Sequence, residues 1–324
     1  MRRLIYIMMM LGLFLLEGKS QQAPVYSQYM LNGFLMNPAV AGSEGYSALN
    51  LTVREQWVGL EGGPSTYALS FQGRIMEDSK IFRRRSVKKR RKSASRGGNV
   101  GLGGYLFNHS NGAVNRTGLK LTYAYHIEFD KTQLSLGLSL VGYQYRLDDS
   151  KIELELPGDN LWQGAHKAVF IPDADVGIYL SAKEYWVGLS VDQLLESAIK
   201  FGDAGYDQFV MERNYYLMGG YDFILSEDVV LSPSAHIKFA ENGKMQADIS
   251  GKCYFMQNFW GGLTYRTGQS LVFGAGVSVD RLVFGYAYDM GLSNLQKHSF
   301  GTHEFTFIAK LGDMTSRYRW LSRF

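Results

Sequence analysis

One cysteine, six prolines and six histidines are spread through 324 residues, and each scarcity removes a class of chemistry. A lone Cys253 cannot close an intrachain disulfide, so no oxidative staple holds the fold. His109, His126, His166, His236, His298 and His303 never fall at HExxH or another metal-ligand spacing and have no cysteine pair beside them. Neither a metal nor an organic cofactor is therefore expected. A Gly-x-Ser-x-Gly elbow is missing. Gly101-Leu102-Gly103-Gly104 lies in a strand pattern and not ahead of a helix, so it is no phosphate cradle. Nothing gathers Ser, His and Asp into one place, and an enzyme is not expected. The net charge of +4 is small and comes largely from one local run, which argues against a surface that seeks nucleic acid.

What the chain does have begins at its start. Arg2 and Arg3 precede an apolar run from Leu4 to Leu16, and Gly18-Lys19-Ser20 follows with small residues where a signal peptidase reads. Residues 1–20 are expected to be a secretory signal peptide. The run is shorter than the roughly 20 apolar residues of a spanning helix, and no later run approaches that length. With no cysteine at the cleavage site, a lipoprotein is not expected.

From Tyr46 onward the hydrophobic period is two. Leu119, Leu121, Tyr123, Tyr125 and Ile127 alternate with Lys120, Thr122, Ala124, His126 and Glu128, and Leu134, Leu136, Leu138 and Leu140 alternate with Ser135, Gly137 and Ser139. Leu282, Phe284, Tyr286, Tyr288 and Met290 repeat the pattern late in the chain. Each such segment has one apolar face and one small or polar face. A soluble sandwich would alternate too, but its strands are usually about 5–6 residues long, whereas a tilted membrane-crossing strand needs about 9–11. The polar faces carry Glu128, Asp175, Lys238 and Asp248, which a dry core would reject and a hydrated lumen would accept. Aromatics such as Trp57, Tyr67, Tyr105, Phe107, Tyr143, Tyr145, Trp186 and Tyr288 gather toward segment ends, as in interfacial girdles.

The reading is all-β: a transmembrane antiparallel β-barrel of about 14 strands with an N-terminal plug-like segment, placed as a multi-pass protein in the bacterial outer membrane. The strands are expected near 46–58, 64–77, 99–108, 114–129, 131–146, 173–182, 184–193, 213–225, 228–240, 244–257, 258–267, 270–279, 281–291 and 302–312. The connections around Asp130, Ser181–Glu184, Leu225–Asp228, Met256–Asn258 and Val279–Arg281 are tight and read as periplasmic, whereas 147–172, 193–212 and 292–301 are long and read as external. The chain thus divides into a signal peptide (1–20), a periplasmic leader or plug (21–45), a barrel (46–312) and a C-terminal tail (313–324). One connection, 78–98, breaks the rule for periplasmic turns. It holds Arg83, Arg84, Arg85, Lys88, Lys89, Arg90, Arg91 and Lys92. No aromatic interrupts that run to stack a base, so it reads as a solvated loop or as a contact for anionic headgroups or an acidic periplasmic partner, and not as a nucleic-acid site.

Ahead of the first strand, Tyr29, Met30, Phe34, Leu35 and Met36 need burial, and Asn37-Pro38 starts a turn. The segment is expected to fold back and plug or cap the periplasmic mouth. Its Ser27-Gln28-Tyr29-Met30 and Asn37-Pro38-Ala39 with Ala41-Gly42, followed by Arg54-Glu55-Gln56-Trp57-Val58-Gly59-Leu60 and Gly63-Pro64-Ser65-Thr66, resemble the opening signature of the PorP/SprF family. Tyr265-Arg266-Thr267-Gly268, Gly285-Tyr286-Ala287-Tyr288-Asp289 and Gly301-Thr302-His303-Glu304 are similar to its closing motifs, with Thr302 where serine is usual. The resemblance implies an outer-membrane component of the type IX secretion and gliding machinery. Members of that family are associated with surface display of secreted proteins, such as gliding adhesins whose C-terminal signal domains dock on them. Some connect to the envelope through a periplasmic peptidoglycan-binding protein. The basic run 83–92 is longer than the family pattern.

Beside the resemblance, the residues suggest a mechanical role. Barrel closure brings first and last strands together, so Arg54, with Gln56 beside it and Arg266 late in the chain, is expected to brace the lumen against carboxylates such as Asp289 and Glu304; an unpaired buried charge is costly. Trp57 reads as an interfacial anchor. Loop 147–172 carries Asp148, Asp149, Glu153 and Glu155 near Trp162, a candidate docking surface for a secreted partner. The expected partners are outer-membrane lipid, a secreted adhesin or its signal domain, and a periplasmic linking component. A passive channel or small-solute transporter is the alternative.

Overall fold

Alternation of apolar and polar residues becomes fourteen antiparallel strands. The computed structural model describes residues 26–75, 99–129, 131–148, 168–196, 198–200, 208–210, 212–256, 258–268, 270–292 and 299–311. The strands are β1 (Ser47–Glu55), β2 (Ser65–Ile75), β3 (Val100–Asn111), β4 (Val114–Glu128), β5 (Thr132–Leu147), β6 (Ala168–Ala182) and β7 (Tyr185–Asp192). Then come β8 (Asn214–Tyr221, resumed at Phe223–Ile224), β9 (Val229–Ala240), β10 (Met245–Phe255), β11 (Phe259–Arg266), β12 (Ser270–Val279), β13 (Leu282–Gly291) and β14 (Thr302–Leu311). Each pairs with its sequence neighbours, and β1 pairs with β14 from Ser47↔Leu311 to Glu55↔His303, which closes the ring. A short hairpin, Ala198–Lys200 with Gln208–Val210, stands apart in the connection between β7 and β8. Among the described residues, no helix is long and apolar enough to cross a membrane.

The two faces divide as the pattern demands. Along β4, Leu119, Leu121, Tyr123, Tyr125 and Ile127 are exposed outward, while Lys120, Thr122, Ala124 and His126 are buried inward. Tyr67, Leu69 and Phe71 do the same on β2. A continuous ring of exposed apolar side chains with a polar interior is stable only if lipid covers the outside. The inside is not the hydrated channel that alternation suggests. Glu304, Arg54 and Arg266 are buried with the N-terminal segment bonded to them, and Asp248 is buried beside Arg266.

Several boundaries differ from the sequence reading. β1 stops at Glu55, since Trp57 has φ 51° and turns the chain away from the sheet. β3 runs on to Asn111, paired with Val114 across a tight turn at Gly112. β6 begins at Ala168, so the expected loop 147–172 shrinks at its distal end; Pro172 is paired opposite Gly142 above the last β6–β7 pair, Val176↔Val191. There β6 is an edge on its β7 side, where a missing N–H is tolerated. β4, β5 and β6, at 15, 16 and 15 residues, form a tall wall at the long-loop end, beside the 8-residue β7. The tight turns after β4, β6, β8, β10 and β12 lie at the other end, with the start of β1 and the end of β14. The signal peptide, the basic run 83–92 and the tail 313–324 lie outside the described residues, as do Asp149, Glu153, Glu155 and Trp162.

Leu140, on the lipid face at mid-height of β5, tests the outward orientation. Leu140→Arg should destabilise the folded barrel in lipid vesicles by about 2–4 kcal/mol, the cost of an arginine near the bilayer midplane. Urea unfolding of the bilayer-inserted protein measures it; a cost no greater than that of Leu140→Ala would contradict a lipid-facing site.

Candidate functional site in the lumen

Residues 26–45 run across the inside of the ring, and the local sequence explains how. Two 3-10 turns, Gly33–Leu35 and Pro38–Val40, compact the segment. Asn37 caps the second: its Oδ1 accepts from the Ala39 N–H at 2.9 Å, with Pro38 at the first helical position, where its absent N–H costs nothing. Tyr26, Tyr29, Phe34, Leu35, Met36 and Val40 join one apolar cluster with Tyr105, Phe107, Tyr143, Tyr216 and Met218 of the strands. Full burial of such side chains is worth about 1.5–3 kcal/mol each, so apolar contact supplies most of the attachment.

Glycines on the strands make room for this backbone. A Cβ at Gly101 would overlap the Ala41 carbonyl, one at Gly137 the Ala39 amide, and one at Gly177 the Asn37 side chain. Gly42 itself has φ 72° and presses on Gly73 and Gly101, a conformation and an approach that a side chain would oppose. Polar contacts then fix the register. Asn37 Nδ2 donates to the Ile178 and Leu189 carbonyls at 3.0 and 3.1 Å, Ser190 Oγ donates to the Met36 carbonyl at 2.7 Å, and Asn32 Nδ2 donates to Ser70 Oγ at 3.1 Å. His126 Nε2 lies 3.0 Å from the Ala41 carbonyl. Tyr29 bonds Ser250 at 3.1 Å and Tyr26 bonds Tyr105, hydroxyl to hydroxyl. Burial raises both N-terminal phenols above their ordinary range, Tyr26 the more, with Tyr105 beside it adding to the shift. Both are neutral hydrogen-bonding groups at physiological pH.

The charged centre sits at the closure seam. Arg54 on β1 is the register partner of Glu304 on β14, and its guanidinium reaches Glu304 at 3.0 Å and Asp289 at 3.3 Å. Arg266 contacts the same Asp289 at 3.0 Å and grips Asp248 through Nε and Nη2 at 3.0 and 2.9 Å. Two arginines facing three carboxylates leave one negative charge in excess. The N-terminal segment answers it: the successive backbone N–H groups of Ser27 and Gln28 donate to the two Glu304 oxygens at 2.7 and 2.8 Å. Arg54 also donates to Ser27 Oγ. Hydrogen bonds to a charged group are the stronger kind, roughly 1.5–3 kcal/mol each.

Of the residues expected to brace the lumen, the structure brings Arg54, Arg266, Asp289 and Glu304 together. Gln56 lies beyond the end of β1, where its backbone N–H donates to the Pro64 carbonyl at 2.8 Å. Asp248 is the member that sequence reasoning left out; its position opposite Arg266 in the β10–β11 register is what places it. Asp148 stands at the end of β5, bonded through its N–H to the Ala113 carbonyl at 2.8 Å. Toward the long-loop end a second polar group lies above the segment: Lys120 reaches Asp175 at 2.5 Å, and the Arg116 guanidinium lies 4.0 Å from the Tyr143 ring centre. With Asp173, Asp192 and Tyr216 they surround a cavity of about 70 Å³. Among the described residues, no cluster of His, Cys, Asp and Glu is arranged to hold a metal ion.

The model of the family described as "Type IX secretion system membrane protein PorP/SprF" matches residues 18–308. Among solved structures the chain is similar to the Ralstonia pickettii toluene transporter TbuX, at 11% identity over 86% of this chain and 93% of that chain, with a TM-score of 0.50. It is also similar to the Pseudomonas putida toluene transporter TodX (10%, covering 90% and 94%, TM-score 0.45) and to the Acinetobacter baumannii outer membrane protein Omp33 (8%, covering 83% and 98%, TM-score 0.42). At such identities the likeness concerns the fold alone. No curated protein matches the sequence.

Two substitutions separate the forces holding the segment. Glu304→Ala leaves Arg54 and two N–H groups without their acceptor and should cost about 3–5 kcal/mol, whereas Arg54→Met combined with Glu304→Leu should cost less than Glu304→Ala alone. Gly137→Val overpacks Ala39 and should cost about 1–3 kcal/mol. Equilibrium unfolding measures the costs, and proteolysis within residues 26–45 should accelerate in Gly137→Val while the barrel stays protected.

Proposed function

Since the chain belongs to the PorP/SprF family of type IX secretion system membrane proteins, we propose that this outer-membrane barrel serves as a docking and anchoring component and not as a catalyst. Its outer end holds a secreted surface protein, such as an adhesin presenting a C-terminal signal domain. Its short-turn end holds a periplasmic component that ties it to the envelope.

The observation that carries this reading is the lumen, occupied from Tyr26 to Val40 by buried chain contacting strands from β1 round to β14. A conduit for solutes needs an open cross-section; a scaffold does not. Two further features support the assignment of ends. The tall β4–β6 wall rises at the outer side over a recess of mixed charge and aromatic rings, where Arg116, Asp173, Asp192 and Tyr143 suit a polar protein surface. β2 ends and β3 begins at the short-turn end, and the sequence between them holds the run Arg83–Lys92, a composition that suits an acidic partner or anionic headgroups. The competing reading, a channel of the kind suggested by the names of the toluene transporters, requires the segment to leave.

Cells lacking the protein should lose surface display of the adhesin and retain it in the periplasm, with unchanged permeability to small solutes. The purified barrel should conduct almost nothing in planar bilayers, and removal of residues 26–45 should raise its conductance into the range of open porins. Normal display combined with altered permeability, or porin-like conductance in the intact protein, would overturn the docking reading.

A further inference from the structure

At the short-turn end a second cavity, of about 120 Å³, lies beneath the N-terminal segment and is unrelated to the outer recess. Asn258 and Ser278, beside the tight turns, are among its lining residues, so it faces the periplasm. Lys252 of β10 extends into it. That side chain is only 1% exposed, and among the described residues its ammonium has no hydrogen-bond partner. Two rings hold it instead: the Trp260 ring centre is 4.0 Å away and that of Tyr254 4.7 Å. Cation–π attraction offsets only part of what an ammonium loses on leaving water. A purely structural position would be better served by an uncharged chain.

Other polar atoms around the cavity also lack partners among the described residues. Trp260 Nε1 has no acceptor, its indole lying over Gly274, Gly276 and Gly285, where side chains would collide with it. Asp222 accepts from Ser232 Oγ at 2.6 Å through Oδ1, but its Oδ2 is unpaired. Register places these groups in one row, with Ser232 opposite Lys252 and Asp222 level with Ser232. Met30, Leu31, Val283 and Ile308 supply an apolar wall. The set comprises the Lys252 cation stacked on a ring that carries an N–H donor, a carboxylate acceptor along the row, Glu44 and Lys310 farther round the lining, and room for a small apolar group, somewhat less than the roughly 150 Å³ that holds a benzene.

We propose that this cavity binds the carboxy-terminal residue of a peptide, an apolar residue carrying a free α-carboxylate. The carboxylate lies between Lys252 Nζ and Trp260 Nε1, the N–H of the same residue donates to Asp222 Oδ2, and its side chain packs on the apolar wall. The single negative charge neutralises Lys252. A fatty acid offers the carboxylate and the tail but nothing to Asp222, which is why the peptide is preferred. The inference requires the barrel and its segment; it does not require an adhesin to dock outside.

The test uses the full mature protein in nanodiscs and calorimetric titration with Ala-Ala-Gly-Leu as free acid, the same peptide as C-terminal amide, and decanoate. The free acid should bind saturably, and the amide should bind at least about tenfold more weakly. Lys252→Met should weaken the acid by a similar factor, and Asp222→Asn should weaken the peptide while leaving any decanoate binding unchanged. The acid–amide comparison needs no variant, so it decides even if Lys252→Met fails to fold. Equal affinity of acid and amide, no binding of either at millimolar concentration, or binding of decanoate alone would each overturn the proposal.

Discussion

A single carboxylate joins the two ends of this chain. Glu304 receives Arg54 across the seam that closes the barrel and, on its two oxygens, the N–H groups of Ser27 and Gln28. Ion pairs taken out of water rarely add net stability, because desolvation consumes most of their attraction. Their effect here is selective. If β1 slid one residue along β14, Val53 or Glu55 would replace Arg54 opposite Glu304, and every inward side chain of β1 would turn toward lipid. The apolar cluster of Phe34, Met36 and their neighbours tolerates many arrangements; the charges tolerate one. Closure register and segment position are therefore specified by the same contact.

How much of this could be read in the residues depends on which physical rule places each group. Period-two alternation marks the strands because one face must be apolar over a membrane-crossing length, and β4, β5 and β13 follow it residue by residue. Arg54 and Glu304 could be suspected as partners since barrel closure must juxtapose first and last strands. Asp248 could not, because its link to Arg266 depends on an internal register two strands away from the seam. The glycines at 101, 137 and 177 looked like ordinary small residues on a polar face; they are seats for a backbone that only the folded chain brings there. Likewise Lys252 and Trp260 are 8 residues apart, and nothing in local pattern says that an indole and an ammonium will stack. The start of β6 was misplaced for a simpler reason: Pro172 signals an end to a strand, whereas at an edge it does not.

The interior is also divided along the barrel axis into two recesses. Above the segment, Lys120, Asp175 and Arg116 with the tyrosines make a recess with mixed charge open to the long-loop end. Below it, Lys252, Trp260 and Asp222 make a smaller recess at the tight-turn end. The segment separates the two with neutral phenols and aliphatic side chains.

Whether that barrier could yield to make a passage is an energetic question. A lid that opens is usually attached along one side and held by few buried contacts. Here the segment is bonded to β6 and β7 through Asn37, to β2 through Asn32, to β10 through Tyr29 and to β14 through Glu304. Swinging it aside would expose several side chains, each worth about 1.5–3 kcal/mol of burial. It would also leave Glu304 and Asp289 with fewer donors. The contacts are spread around the whole ring, so no subset acts as a hinge. A structure arranged in this way resists opening from either end.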